Sequence, residues 1–429
     1  MADVDLLIRG GDPVDVAVDD GRIVATGTGL ELTATETVDA TGLRVFPGAV
    51  DAHVHFNDPG RADWEGWATG TAAAAAGGTT CVVDMPLNAH PPTVDADAFR
   101  RKVEAASGAA VVDFALWGGL VPGNVSRLAE LAELGVVGFK AFMCPSGIDD
   151  FEAVDDETLH AGMAEAARLG LPVAVHAESP ELLEPPAGRG WRDYLASRPV
   201  AAELDAIARA IAIAEETACS LHVVHVSTGQ GVRLVTAARE RGVDVTCETC
   251  PHYLVLDEDD LVRLGAVAKC APPLRSRTDR DDLRAELAAG SIDLLASDHS
   301  PAPASMKEGD DAFAIWGGIS GCQSLLALAL TEGVAPELVS ERPAARFRLP
   351  GKGRLEPGAD ADIVLLDPSA EAELRPEDLR YRHRHSPYVG MRLHGRIAAT
   401  FLRGRRIDPS DKLLLGGRGG RLVRPAPPG

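Results

Sequence analysis

Short apolar runs recur along this chain of 429 residues, separated by Ala-, Leu-, Glu- and Arg-rich stretches of helical periodicity, and this alternation constrains the fold more than any other feature. The runs fall at residues 45–50, 79–84, 110–116, 136–139, 171–175, 221–224, 243–247 and 292–297, and each reads as a buried strand. Helical patterns lie between them, as at 69–76, 97–106 and 203–216. Eight alternating strands and helices predict an α/β fold, a parallel (β/α)8 TIM-like barrel, whose active site lies at the C-terminal ends of its strands.

Polar residues stand where such a site would be. The pentad Asp51-Ala52-His53-Val54-His55 closes the first run, and Lys140, His176, His225 and Asp298 close four others. Side chains alternate along a strand, so His53 and His55 face the same way and can chelate a metal such as zinc. Chance and core histidines also produce an isolated His-x-His. The argument therefore rests on the company: six potential ligands on five strand ends. Two cations a few ångströms apart need a bridging anion, and a lysine carries the wrong charge for that role. With its pKa lowered by adjacent metals, however, a lysine reacts as the free amine with carbon dioxide to give a carbamate that behaves as a carboxylate. Lys140 is the candidate.

The chain is longer than one barrel of roughly 250–300 residues. Its first 48 residues alternate strand patterns with Gly and Asp turns, and the same texture returns at 361–366 and 396–402. We expect residues 1–48 and 350–429 to combine into a small β-sandwich beside a barrel of 49–349; two unrelated terminal extensions are the alternative. A formal charge of −22 and a pI near 4.9 exclude partners that select basic faces, namely nucleic acid and acidic membrane surfaces. The short basic clusters at 403–406 and 417–424 read as a solvated tail. No uninterrupted apolar stretch reaches 18 residues and the N-terminus lacks a leader pattern, so a cytoplasmic protein is expected. Seven scattered cysteines fit a reducing compartment, with Cys247 and Cys250 read as packing residues.

Ten motifs, in order and nearly end to end, carry a family resemblance. They include VDAHVHFNDPGRADWEGWATGTAAAAAGGTT (50–80), DMPLNAHPPTV (84–94), GVVGFKAF (135–142), LHVVHVS (221–227), CETCPHYLVLD (247–257), AKCAPPLR (268–275), SDHSPAP (297–303) and YRHRHSPYVG (381–390). On these the chain resembles the cyclic amidohydrolases of the amidohydrolase superfamily, and within them the branch that opens allantoin. The resemblance implies two divalent metals, zinc by default, with manganese, cobalt or iron possible alternatives. His53, His55 and Asp298 would hold one and His176 and His225 the other, bridged by Lys140 as N6-carboxylysine. Asp298 would also be the catalytic base and then acid; a helix cap in Asp-His-Ser-Pro is its plainer reading. His222, offset by three from His225, is assigned to the opposite strand face as a packed histidine, and His252, which reads equally as a residue reaching the site from its loop or as a satisfied loop histidine, is left out.

The same resemblance bears on substrate. Dihydroorotases place an arginine two residues after the second histidine to receive a carboxylate, and this chain has Asn57 there. Leu87-Asn88, Ser300 and Gln323 also depart from the dihydroorotase pattern. Asn57, Asn88 and Ser300 are expected near a neutral ureido group, and Arg61 is read as structural. Dihydroorotase or hydantoinase/dihydropyrimidinase activity is the nearer alternative, and a noncatalytic scaffold the remote one. The segment 179–191 is shorter than the resemblance suggests and Glu341-Arg342-Pro343-Ala344 departs from its pattern. A homo-oligomer, a tetramer by resemblance, is expected.

Overall fold

The computed structural model describes residues 2–408 and 419–427. The chain opens with strands β1 (Val4–Arg9), β2 (Asp15–Asp19), β3 (Arg22–Gly27) and β4 (Ala34–Asp39), which form a sheet in the order β3-β2-β1-β4. Strand β5 (Arg44–Pro47) leaves that sheet for a second one.

The barrel follows. Its strands are β6 (Ala49–Val54), β7 (Thr79–Asp84), β8 (Asp113–Leu116) with β9 (Gly118–Gly119), β10 (Phe139–Phe142), β11 (Val173–His176), β12 (Leu221–Val223), β13 (Val245–Thr249) and β14 (Leu294–Leu295). Only Trp117 separates β8 from β9, so they act as one strand, and every pairing from β6 to β8 and from β9 to β14 is parallel. A bridge between Val54 and His299 closes the ring. Helices Trp67–Ala76, Ala96–Ser107, Leu128–Leu134, Asp156–Leu169, Val200–Thr217, Gly229–Glu240, Arg277–Ala288 and Leu325–Thr331 alternate with the strands. Several start where a polar side chain satisfies an otherwise orphaned amide: Asp95 accepts from Ala98, Asp155 from Thr158, Thr228 from Gly231 and Ser276 from Asp279. Such caps contribute about 1 kcal/mol each.

The last strands, β15 (Ile363–Glu373), β16 (Arg392–Leu402) and β17 (Arg405–Ile407), join β5 in an antiparallel sheet ordered β17-β16-β15-β5. Leu6, Ile8, Val16, Val18 and Ile23 of the first sheet share one apolar core with Val45, Ile363, Leu365 and Phe401 of the second. Both termini therefore build this β-sandwich beside the TIM barrel.

Inside the barrel, Val50, Ala52, Cys81, Val83, Ala115, Trp117, Ala174, Val224 and Leu294 form a cluster with Ala344, Phe347 and Leu349. Phe347 packs edge-on against Trp117 with ring centroids 5.0 Å apart. Burial of each such aromatic contributes about 1.5–3 kcal/mol. This packed interior leaves the strands' C-terminal ends as the open face.

The structure departs from the sequence reading at several ends. The third barrel strand begins at Asp113 rather than 110, the seventh runs 245–249 rather than 243–247, and the eighth shrinks to Leu294–Leu295. The basic clusters are not a solvated tail. Arg403 binds Asp113 through Nη1, Arg421 reaches Asp360 at 2.9 Å, and Leu422 bridges to Phe114 of β8. Within 417–424, residues 417 and 418 lie outside the described residues. Cys247 and Cys250 are buried, unpaired thiols. No helix among the described residues is long and apolar enough to cross a membrane.

Candidate metal centre

Strand β6 delivers the first two candidate ligands through an irregularity. Its register against β7 shifts between Asp51 and Val54, so Ala52 joins the barrel interior while His53 and His55 still reach the mouth. The Phe56 amide donates to Asp84 at 2.8 Å and fixes the chain immediately after His55. Lys140 projects from the middle of β10, and His176 ends β11.

His225 and Asp298 arrive differently. Both lie beyond their strands with φ of 40° and 45°, a left-handed conformation that non-glycine residues rarely adopt. Such strain persists where surrounding structure enforces it, and it clusters at functional sites. It also explains His222. The strand ends at Val223, so simple alternation does not extend to His225, and His222 occupies the barrel interior beneath the mouth. Its Nε2 donates to Glu248 at 3.1 Å and its ring packs against Phe347.

Six residues thus converge. Asp298 Oδ1 lies 3.2 Å from His53 Nε2 and 3.5 Å from His55 Nε2. His176 Nδ1 and His225 Nε2 are 3.0 Å apart, as two donors aimed at one ion would be. The Lys140 ammonium is fully buried, 4.7 Å above the Phe142 ring, and has no hydrogen-bond partner among the described residues. Burial lowers its pKa from the lysine range to about 7. Burial likewise lowers His55, His176 and His225, favouring the neutral imidazole that ligates metal. Burial opposes ionisation of Asp298, yet His53 and His55 hold its pKa well below the usual carboxylate range.

Two carboxylates orient the imidazoles. Glu248 accepts from His53 Nδ1 at 2.5 Å, and Glu178 accepts from His176 Nε2 at 2.7 Å. Each contact fixes which ring nitrogen faces the centre, the arrangement found behind metal-bound histidines. Glu178 is in turn gripped by Arg198 through Nε at 3.0 Å and through Nη2. Against the burial that opposes its charge, Arg198 and His176 hold Glu178 at about 2. Sequence reasoning missed Glu178, Glu248 and Arg198. The available signals were a carboxylate two residues beyond His176 and a lone carboxylate inside the buried strand β13.

A cavity of about 370 Å³ stands over these ligands. Asn88 and Ser300 line it, with Asn88 Nδ2 donating to Ser300 Oγ at 3.3 Å. Asn57 is not brought to its wall. It is buried with φ of 65°, and its Nδ2 donates to the Pro301 carbonyl at 3.3 Å. Arg61 turns onto the carbonyls of Asn88 and Ala89 at 2.9 and 3.3 Å, a structural role. From the segment following His176, Tyr194 and Arg198 enter the wall. Among the described residues neither ring nitrogen of buried His252 is hydrogen-bonded, and His252 does not line the cavity, so it is neither a satisfied loop histidine nor part of the wall.

The donor set fits divalent metals: four imidazoles, a carboxylate, and a buried amine without a hydrogen-bond partner among the described residues. The chain belongs to the amidohydrolase family, whose profile matches residues 44–407. Its relatives narrow the class. A protein of Rubrobacter xylanophilus named allantoinase is 56% identical, covering 99% of this chain and 98% of its own length. Another, from Solibacter usitatus, is 52% identical over 98% of this chain and 96% of its own. Among solved structures, the L-hydantoinase (dihydropyrimidinase) of Arthrobacter aurescens superimposes with a TM-score of 0.93 at 34% identity, covering 98% of this chain and all of that one.

Proposed function

We propose that this chain is a metal-dependent hydrolase that opens the ring of allantoin to give allantoate. The observation that carries the chemistry is the buried, unpartnered Lys140 amine among four imidazoles and Asp298. Two divalent metals, zinc by default with manganese, cobalt or iron as alternatives, would be held by His53, His55 and Asp298 and by His176 and His225, with Lys140 bridging them as a carbamate. Bound there, they would supply Lewis acidity toward the ring carbonyl and an activated water.

The chain's own groups do the rest. Asp298 Oδ1, within 3.5 Å of both histidines of the pentad, accepts the proton of the attacking water. The water oxygen adds to the carbonyl carbon, the carbon–nitrogen bond breaks, and Asp298 passes the same proton to the departing ring nitrogen. The new carboxylic acid gives its remaining proton to solvent, so a carboxylate and a freed N–H group result. Glu248 and Glu178 hold His53 and His176 in the ligating orientation while this occurs.

The walls favour a neutral substituent. Of the cations lining the cavity, Arg198 is bound by Glu178 and Lys269 directs its ammonium to the Phe313 and Ile315 carbonyls; Arg61 faces backbone carbonyls, and Asn88 and Ser300 offer amide and hydroxyl groups that suit a ureido group. The relatives named allantoinase agree with this. Hydrolysis of simpler 5-substituted hydantoins is the second reading, favoured by the close superposition on an L-hydantoinase. We assign catalysis to residues 49–349, the sandwich to 1–48 with 350–429, and a homotetramer as the assembly. Purified protein supplied with zinc or manganese and bicarbonate is assayed on allantoin, dihydroorotate and hydantoin side by side. Preferential conversion of allantoin is expected. Preference for dihydroorotate contradicts the neutral-wall argument, and no turnover with metals bound contradicts the hydrolase reading itself.

A further inference from the structure

The outer wall of the cavity is a strip without regular secondary structure. Phe313, Ala314, Ile315, Trp316, Gly317 and Gly318 all line it, consecutively. Nothing in the strip's local sequence makes it rigid. Gly318 has φ of 146°, and a Cβ there would meet the Ser300 carbonyl oxygen at 2.2 Å, so a flexible residue is obligatory at that close approach. A strip of this kind would ordinarily be mobile and would have to be ordered each time substrate bound.

Two lysines oppose that. Lys269, only 6% exposed, reaches the strip from the segment after β13; its ammonium donates to the Ile315 carbonyl and, at 3.5 Å, to that of Phe313. Its charge also sits 4.8 Å above the Tyr194 ring. Lys307 donates to the carbonyls of Trp316 at 3.0 Å and Gly318 at 2.6 Å, and to Ala266 at 3.2 Å. Gly318 N donates back to the Lys269 carbonyl at 2.7 Å. Among the described residues neither lysine makes an ion pair within 4.0 Å. Burying an ammonium without a carboxylate is unfavourable unless oriented dipoles replace its water, and here the strip's own carbonyls are those dipoles. Burial lowers both ammonium pKa values, to about 8 for Lys269 and about 7 for Lys307.

We propose that Lys269 and Lys307 are positioning residues that clamp the strip 313–318 by its carbonyls, pre-forming the wall against which the cyclic substrate binds. Lys269 lines the cavity and Lys307 does not, and both direct their donors to the strip's carbonyls, so the clamp acts on affinity and leaves the chemical step to the metal ligands. The proposal rests on the cyclic-amide reading of the site.

The test compares wild type with Lys269→Met and Lys307→Met, each close in shape but without donors, and with Lys269→Arg, which keeps charge and donors. For each Met variant the KM for allantoin is expected to rise about tenfold or more while kcat stays within about threefold, with partial recovery in Lys269→Arg. Hydrogen exchange followed by mass spectrometry should show faster exchange in peptides covering 304–320 and unchanged exchange around His53 and His176. A fall in kcat at unchanged KM, the mark of a reduced folded fraction, or undisturbed exchange in the strip overturns the clamp. If Lys269→Met does not fold, Lys307→Met carries the same test from the other side. Absence of wild-type turnover would sink the substrate reading alone, because exchange still reports on the clamp.

Discussion

Two fully buried lysines stand at opposite regions of this molecule, Lys140 at the barrel mouth and Lys352 where the barrel meets the sandwich. Both are 0–1% exposed. Lys352 donates to Asp113 at 2.5 Å, Asp362 at 2.8 Å and Asp360 at 2.9 Å, while Arg403, Arg421 and Arg22 complete a network of three acids and four bases. Burial opposes its charge, but these acids raise its pKa above the ordinary lysine range. Lys140 has no hydrogen-bond partner, and burial alone dominates its downward shift. Both regions gather three potential metal ligands, His53, His55 and Asp298 in one and Asp113, Asp360 and Asp362 in the other. In the second, an ammonium already occupies the centre. Charge that serves the fold is neutralised within the chain, and charge that serves chemistry is left incomplete.

The largest expected effect breaks the comparison at the mouth. Asp298→Asn should retain most of the metal and lose at least about a thousandfold in kcat, since the proposed proton acceptor is gone. Its unfolding midpoint should match or exceed wild type, because a neutral amide replaces a carboxylate whose charge burial opposes. A metal-replete, active variant contradicts the role given to Asp298.

Lys352→Met should do the reverse. Three carboxylates would lose their central cation, at a cost of about 3–5 kcal/mol in denaturant unfolding. Molecules that remain folded should keep near-normal kcat/KM. A stable variant would show that the two regions do not differ as described.

A third test uses pH. Glu65, fully buried among the mouth loops with Oε2 unpartnered, is raised by burial to about 7. A raised acid favours the fold in its protonated form, so its contribution is intact below the ordinary value of 4.5 and is lost as pH rises through about 7. Glu65→Gln should therefore gain up to roughly 3 kcal/mol over wild type at pH 8.5 and nothing at pH 4. Equal pH profiles of unfolding for the two proteins would place Glu65 with the satisfied groups instead.

The smallest effects separate two asparagines. Asn88→Ala should raise KM about tenfold, or about 1.4 kcal/mol, because Asn88 lines the cavity. Asn57→Ala should leave KM within about twofold and cost about 1 kcal/mol of stability, because φ of 65° penalises an alanine there. Asn57→Gly should recover that stability. The opposite KM pattern would restore Asn57 as the substrate contact that the motif comparison suggested.

The barrel was legible because its strands are apolar runs and its helices keep their own period. The six candidate ligands stood out because they are polar residues at the ends of five apolar runs, His53 and His55 together on the first. Their supports were not legible, since they act across the barrel. Glu248 reaches His53 from 195 residues away, and Arg198 returns to Glu178 from the far end of a loop. His222 was placed on the wrong face because alternation was carried past the strand end at Val223, where the chain turns through φ of 40° to present His225. The basic clusters were read as solvated because their partners, Asp113 and Asp360, are far from them in sequence.

The most direct test of the incomplete mouth is the metal content of purified wild type and Lys140→Ala, measured per chain together with kcat. Two metals per wild-type chain, with one or none and at least a thousandfold lower kcat in Lys140→Ala, is the predicted result. Two metals and full turnover in Lys140→Ala would contradict the account, leaving Lys140 as a buried amine without a role in the centre.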